Sequence, residues 1–578
     1  MTTPPRPGKY RTAFWFFICL LTAGIARSDN NFTKGLAVVD GAFTLERESW
    51  VLIESDQSGP AKIAGSKFIL NQGKGFVELP AGKFLLKDVP GTSFQVRQVP
   101  ALLFYKFVGA CDRPDTVPYD LSTKSANGRD AMFLYNWPWL RKHILDNFNM
   151  VMTFFETPEI DQWRAEGRKT ICEGALLSGK TSKEYEEDWQ GRLQRHPNSG
   201  IILDEFIIPV PEGSPNSAEF GYTHPGVGFD TATLAVVGHL GKELRSRGSR
   251  IYPWLGLPWR CHGRDVTPLL NTVKECSGRI VWEAYSFSRN WQDEINNRLA
   301  RRITEFLQAD PDIMHHMMIA PSTMEFSERN AAVDFKAFLD RQFHLMANDP
   351  QFNGIAGITF WGSPTTKPEN LRWLTELIRH YCLQGEKSLL SDRYGFQIEP
   401  GILANPEWTD ALASWEISPA QPGSIDIVTR TQWPEMGFKP GYYPKAPEAM
   451  LLMKRNPDKP NRIRQTLKNL HPGKRYALTA QVTAIRKESR LERYAVDFTL
   501  ENCRIDDVLL RPMFDYTSSE KTNTLCWNNY EILFQYLGPE PAALSIADQT
   551  GSGCGPGTNA IQAESLLIDG IRIAPYFE

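Results

Sequence analysis

Eight short apolar runs, each followed by a stretch of helical character, recur between residues 130 and 382. They occupy 132–136, 150–156, 170–173, 201–206, 250–255, 279–285, 317–320 and 355–361. Their starts repeat roughly every 30 residues, the length of a βα unit. The intervening segments have helical period. Ile295, Leu299, Ile303, Phe306 and Leu307 form one apolar stripe, and Leu371, Leu374, Leu377, Ile378 and Tyr381 form another. Apolar strands alternating with amphipathic helices imply a parallel sheet covered by helices. Eight such units in about 250 residues match a closed (β/α)8 barrel. An open doubly wound sheet is the alternative, but no Gly-rich phosphate loop follows the first run.

A chain of 578 residues exceeds what one core supports and predicts roughly three domains. The segments flanking the barrel lack helical period. In 29–110, short β-favouring runs at 36–40, 50–54, 67–70, 76–79 and 83–87 alternate with Gly and Pro turns, which predicts a small β-sandwich-like domain. The barrel is assigned to 111–386. Residues 387–578 carry strand-like runs at 425–429, 475–479, 494–499, 530–534, 543–546 and 566–573, which predicts a β-sandwich jelly roll. The fold class is therefore mixed: α/β in the barrel, β in both flanking domains.

The first 28 residues read as a secretory signal. Arg6, Lys9 and Arg11 precede a mostly apolar segment, 12–25, too short for a comfortable membrane span, and Ala26-Arg27-Ser28 offers a cleavage site. An uncleaved signal-anchor is the alternative. Cleavage removes four cations and no acid, moving the formal charge from −3 to −7. The acidic remainder has no basic cluster, which argues against nucleic acid as a partner. After cleavage no integral membrane association is expected, and the protein is placed in a secreted, periplasmic or other extracytoplasmic setting. Eight cysteines remain, permitting disulfides of undetermined connectivity; Cys261 and Cys276 are near enough in sequence to pair. Asn31-Phe32-Thr33 matches a glycosylation sequon, which matters only in a eukaryotic secretory pathway.

Barrel active sites sit where the strands end. Asp204 and Glu205 end the fourth run, Glu283 lies near the end of the sixth, Glu325 follows the seventh, and Glu156 and Glu173 end the second and third. An acid at a strand end is equally suited to capping a helix or pairing with an arginine. Acetal hydrolysis, however, needs one carboxylic acid to protonate the leaving oxygen and one carboxylate as nucleophile or base. Trp254, Trp259, Trp282, Tyr285 and Trp361 lie at or near strand ends, where aromatic faces suit stacking on sugar C–H faces or filling the core. Asn136, Tyr222, His224, Arg260 and His262 are polar candidates for contact with a ligand.

With these residues the chain resembles glycoside hydrolases built on a (β/α)8 barrel. In the largest clan of these, a fourth-strand Glu is the acid/base and a seventh-strand Glu the nucleophile, which implies Glu205 and Glu325 here. Asp204 stands where that clan usually has Asn, and the Asp-Glu pair also resembles substrate-assisted hexosaminidases. On this resemblance Glu205 is the acid, Asp204 its modulator, and Glu283 or Glu325 the second carboxylate. The stretches 405–415, 464–476 and 565–575 resemble galactose-binding-like jelly rolls of the carbohydrate-binding-module type. The expectation is an exported glycoside hydrolase-like protein acting on a poly- or oligosaccharide. Asn136, Trp254, Trp259, Trp282, Tyr285 and Trp361 are its substrate-binding candidates, and no organic cofactor or catalytic metal is implied. The alternative is a non-catalytic carbohydrate-binding or adhesion protein on a barrel scaffold.

Overall fold

The computed structural model describes residues 29–104, 119–122, 132–153, 156–175, 182–204, 231–255, 267–286, 288–321, 323, 330–360, 366–429, 449–484, 493–514, 526–549 and 562–578. At its centre eight parallel strands close into a barrel. We number them β1 (Ala101–Phe104), β2 (Met150–Met152), β3 (Lys169–Ala175), β4 (Ser199–Asp204), β5 (Ile251–Leu255), β6 (Ile280–Ala284), β7 (Met317–Pro321) and β8 (Gly357–Phe360). Strand β8 pairs with β1, Gly357 opposite Ala101, and closes the ring. Seven of the eight apolar runs are barrel strands. The eighth, Met132–Tyr135, instead pairs antiparallel with Tyr119–Ser122 in a separate ribbon, and β1 takes its place in the ring. The barrel thus begins inside the stretch read from sequence as all-β. Ala101-Leu-Leu-Phe104 is fully buried, and a four-residue apolar run fits a barrel strand as well as a sandwich strand.

The helix stripes are where the periodicity places them. Phe335–Asn348 and Pro368–Leu377 bury their apolar faces in the barrel cluster. The stripe from Ile295 runs through a π-helical turn, Glu294–Leu299, into the helix Ala300–Ala309.

The N-terminal sheet uses strand alternation to serve two cores. Along Ser49–Ser55, Trp50 and Leu52 join the barrel cluster, whereas Val51 and Ile53 join the small domain's own core. Successive side chains point to opposite faces, so one strand packs both ways. The sequon residues are structural here. The Asn31 amide donates to the carbonyls of Met346 (2.9 Å) and Asp349 (2.5 Å), and the Thr33 hydroxyl donates to Cys382 O at 2.6 Å. An amide used this way ties the first residues to the barrel helix.

The C-terminal region is a sandwich of a four-stranded and a six-stranded antiparallel sheet. The outer face of the six-stranded sheet docks on the helix Pro368–Leu377. Arg372 donates to the Tyr576 hydroxyl and the Phe577 carbonyl, both at 3.0 Å, and Lys367 lies 3.5 Å from Glu531. Phe577 enters an aromatic cluster with Trp373, Tyr394 and Phe396. Among the described residues Cys172, Cys276, Cys382 and Cys503 are free thiols. Cys276, considered from sequence as a partner for Cys261, donates to Val273 O instead, and Cys261 lies outside the described residues.

Candidate active site

The floor of the barrel comes from the N-terminal domain. Glu78, in the strand Lys74–Leu79, presents its buried carboxylate to Lys169, Arg250 and Arg279 at the starts of β3, β5 and β6. The Arg250 and Arg279 guanidiniums approach to 3.1 Å each. Burial alone would raise this carboxyl; the three cations hold it far below the usual carboxylate range. Above the floor Tyr252 is fully enclosed, and burial pushes its phenol up to about 12. The N-terminal end of the barrel is therefore sealed.

The other end carries Glu283. Along β6 alternate residues face the helix ring and the barrel interior. Trp282 faces outward: it is 1% exposed and packs against Phe306, with centroids 5.6 Å apart. Glu283 therefore faces inward, half-buried. Its Oε1 accepts the Trp254 Nε1–H at 2.5 Å and faces the Tyr285 hydroxyl at 3.4 Å. Two donors on one carboxylate oxygen favour the ionised form and fix its direction.

The expected aromatic residues thus separate by role. Trp254 is fully buried, so its ring has no open face, and it acts on Glu283 through its N–H. Tyr285 stays half-buried at the strand end. Asn136 is buried and caps the helix Trp137–His143, its Oδ1 accepting the Trp139 N–H at 2.8 Å. Glu156 is an ion-pair partner: Arg164 and His196 bind it, at 2.9 and 3.1 Å, and the Arg164 hydrogen bond, acting with His196 against burial, holds its carboxyl below the usual carboxylate pKa. Glu173 stands half-buried at the end of β3. Asp204 is the last residue of β4; its side chain, and all of Glu205, Glu325, Trp259 and Trp361, lie outside the described residues, as do Tyr222, His224, Arg260 and His262.

Sequence reasoning did not single out Glu78 as the floor. It sits in Phe76-Val-Glu-Leu79, which reads as an ordinary strand with one polar position. Nothing local marks it, because its three partners lie between 91 and 201 residues away. The described residues contain no cluster of three or more His, Cys, Asp or Glu able to hold a metal, and no helix long and apolar enough to cross a membrane.

If the indole N–H holds Glu283, Trp254→Phe removes one hydrogen bond to a charged group and leaves most of the packing. Such a bond contributes about 1.5–3 kcal/mol. The variant is expected to be less stable by about 1.5–3 kcal/mol, read as a lower urea midpoint in equilibrium unfolding.

No protein-family description and no curated protein sequence matches the chain. Among solved structures, it is similar to TmCBM61 in complex with beta-1,4-galactotriose, with 13% identity and a TM-score of 0.18, over 30% of this chain and 98% of that one. It is also similar to the catalytic domain of a hyperthermophilic chitinase from Pyrococcus furiosus, with 10% identity and a TM-score of 0.27, over 48% and 96%. A third is an endo-1,4-beta-xylanase from Caldicellulosiruptor owensensis, with 11% identity and a TM-score of 0.26, over 45% and 84%. At these scores the likenesses add nothing to the fold, and the barrel and sandwich stand on their own strand pairing.

Proposed function

We propose that this is an exported glycoside hydrolase whose barrel cleaves a poly- or oligosaccharide by paired-carboxylate chemistry. The observation that carries the reading is Glu283. It is an inward-facing carboxylate at the C-terminal end of a closed parallel barrel, held by an indole N–H and facing a phenol. A barrel core accepts a half-buried acid only where donors or solvent compensate it. Here the donors also aim it at the mouth, where substrate enters in this fold. Held ionised, Glu283 suits the base or nucleophile of acetal hydrolysis, which needs a separate group as acid. From sequence the acid is Glu205, with Asp204 as its modulator, and Glu325 is the alternative to Glu283 as the second carboxylate.

The test is reducing-sugar release by the purified protein on a broad panel of polysaccharides and aryl glycosides, beside Glu283→Gln. The variant keeps size and hydrogen-bonding capacity while removing charge. Its turnover is expected to fall by at least about a hundredfold, the scale of losing a general base. Hydrolysis that survives in Glu283→Gln would remove this residue from the chemistry. No hydrolysis by the wild type, together with retention on an insoluble glycan, would favour a binding protein on a barrel scaffold.

A further inference from the structure

Resting on that reading, we infer that Glu173 is the acid that works opposite Glu283. Lys169, Arg250 and Arg279 all reach the Glu78 carboxylate, so their three strands are level there. Four residues further along each strand stand Glu173, Trp254 and Glu283. Four is an even number, so each of these returns to the face of the residue it started from, about 13 Å higher at about 3.3 Å per residue. The Trp254–Glu283 hydrogen bond shows that this counting holds for β5 and β6.

The intervening residues agree. On β3 the Thr170 hydroxyl meets Arg164 Nε of the helix Pro158–Ala165 at 3.1 Å and Ser199 Oγ at 2.8 Å, so Thr170 faces the helix ring. Alternation then puts Lys169, Ile171 and Glu173 on the inner face, as it puts Glu283 opposite in sense to Trp282. Glu173 and Glu283 are thus level on the inner wall, on strands three places apart in a ring of eight, and face each other across the mouth.

A second observation points into the same space. Glu283 pairs with Ala320, and the β7–β8 register continues that row to Thr359, on the inner face with Gly357. Thr359 is fully buried and its hydroxyl has no hydrogen-bond partner among the described residues. Buried hydroxyls are normally satisfied, so this orphan just below the two carboxylates is a polar group that the described barrel leaves unpaired.

Glu283 and Glu173 take different tasks. Glu283 is ionised under its donors and takes a proton from the water that adds to the anomeric carbon. Glu173, protonated, gives its proton to the glycosidic oxygen as the anomeric C–O bond breaks. One water is consumed, two hydroxyl products leave, and solvent returns the proton from Glu283 to Glu173. Carboxyls on opposite walls leave room for that water.

The experiment uses the full chain labelled with [indole-15N]tryptophan. The Trp254 Nε1–H resonance, assigned by its loss in Trp254→Phe, follows the charge of Glu283 with pH. Because Glu173 stays protonated while Glu283 ionises, the wild-type resonance is expected to show a second, higher-pH inflection as Glu173 loses its proton, and Glu173→Gln to lose that inflection. Against whichever glycan the wild type hydrolyses, Glu173→Gln is expected to lose at least about a hundredfold in kcat with KM little changed, and Glu173→Asp to recover part of it. A single inflection in the wild type, unchanged in Glu173→Gln, overturns the opposed pair whatever the activity. A lost inflection with kcat retained in Glu173→Gln overturns the acid role. If the wild type hydrolyses nothing yet Glu173→Gln loses the second inflection, the glycosidase reading fails while the opposed pair stands.

Discussion

Glu78→Gln is expected to destabilise the protein by about 3–5 kcal/mol, the cost of removing one partner from a buried ion cluster. The variant leaves Arg250 and Arg279, both nearly enclosed, without the carboxylate they converge on. Glu48 lies 2.6 Å from Arg250 and also binds Arg245, so it compensates for one cation but not for Arg279 or Lys169. The loss reads as a lower urea midpoint for barrel unfolding. It also has a pH signature. Glu78 titrates far below its ordinary value of 4.5 when folded, so its contribution is fully present above about pH 4.5 and is lost as pH falls, when the unfolded chain takes up the proton first. Stability of the wild type should therefore fall between about pH 5 and 3 more steeply than that of Glu78→Gln. Parallel curves would show that the cluster contributes nothing through its charge.

Glu369→Gln is expected to weaken the joint between barrel and sandwich on a similar scale, about 3–5 kcal/mol. Glu369 is 1% exposed at the start of the helix Pro368–Leu377, with the ammonium groups of Lys336 and Lys367 each 3.1 Å away. Its Oε1 also accepts the Phe577 N–H at 2.9 Å, which draws the last strand of the sandwich onto the barrel. Burial opposes its charge, but the two lysines and that N–H hold the carboxyl at about 2. The stabilisation is thus present above about pH 4.5 and disappears as pH falls towards 2. In the variant two buried lysines lose their shared partner, although Lys336 keeps Asp334 at 3.3 Å and Lys367 keeps Glu531 at 3.5 Å. The joint should then open before either domain unfolds, seen as faster tryptic cleavage between them and an earlier, separate calorimetric transition. Unchanged proteolysis with one lowered transition would place the effect inside the barrel.

These two carboxylates show what local pattern leaves out. Glu78 reads as a solvent-facing position in a strand and Glu369 as an ordinary first-turn acid of a helix. Glu78 is decided by three cations from elsewhere in the chain, and Glu369 by Lys336 from the preceding helix together with Lys367 two residues before it. The site divides in the same way. That Glu283 lies near the end of a barrel strand follows from the run 279–285, since period and length carry that information. That it points inward, and that Trp254 donates to it, depends on which neighbour faces the helix ring. Trp282, next to Glu283 and read from sequence as a candidate for the same cleft, lies against Phe306.

What the sequence determined by itself is the architecture, because hydrophobic period and turn residues are local and repeat eight times. A parallel barrel of buried strands between amphipathic helices has few other ways to cover its apolar surface. What only the tertiary structure decided is membership and pairing. Ala101–Phe104 enters the ring in place of Met132–Tyr135, since both are short apolar runs and closure selects the one that pairs with β8 and β2. The level of Glu173 with Glu283 was likewise set by the shared anchor at Glu78, through strand register that no single segment contains.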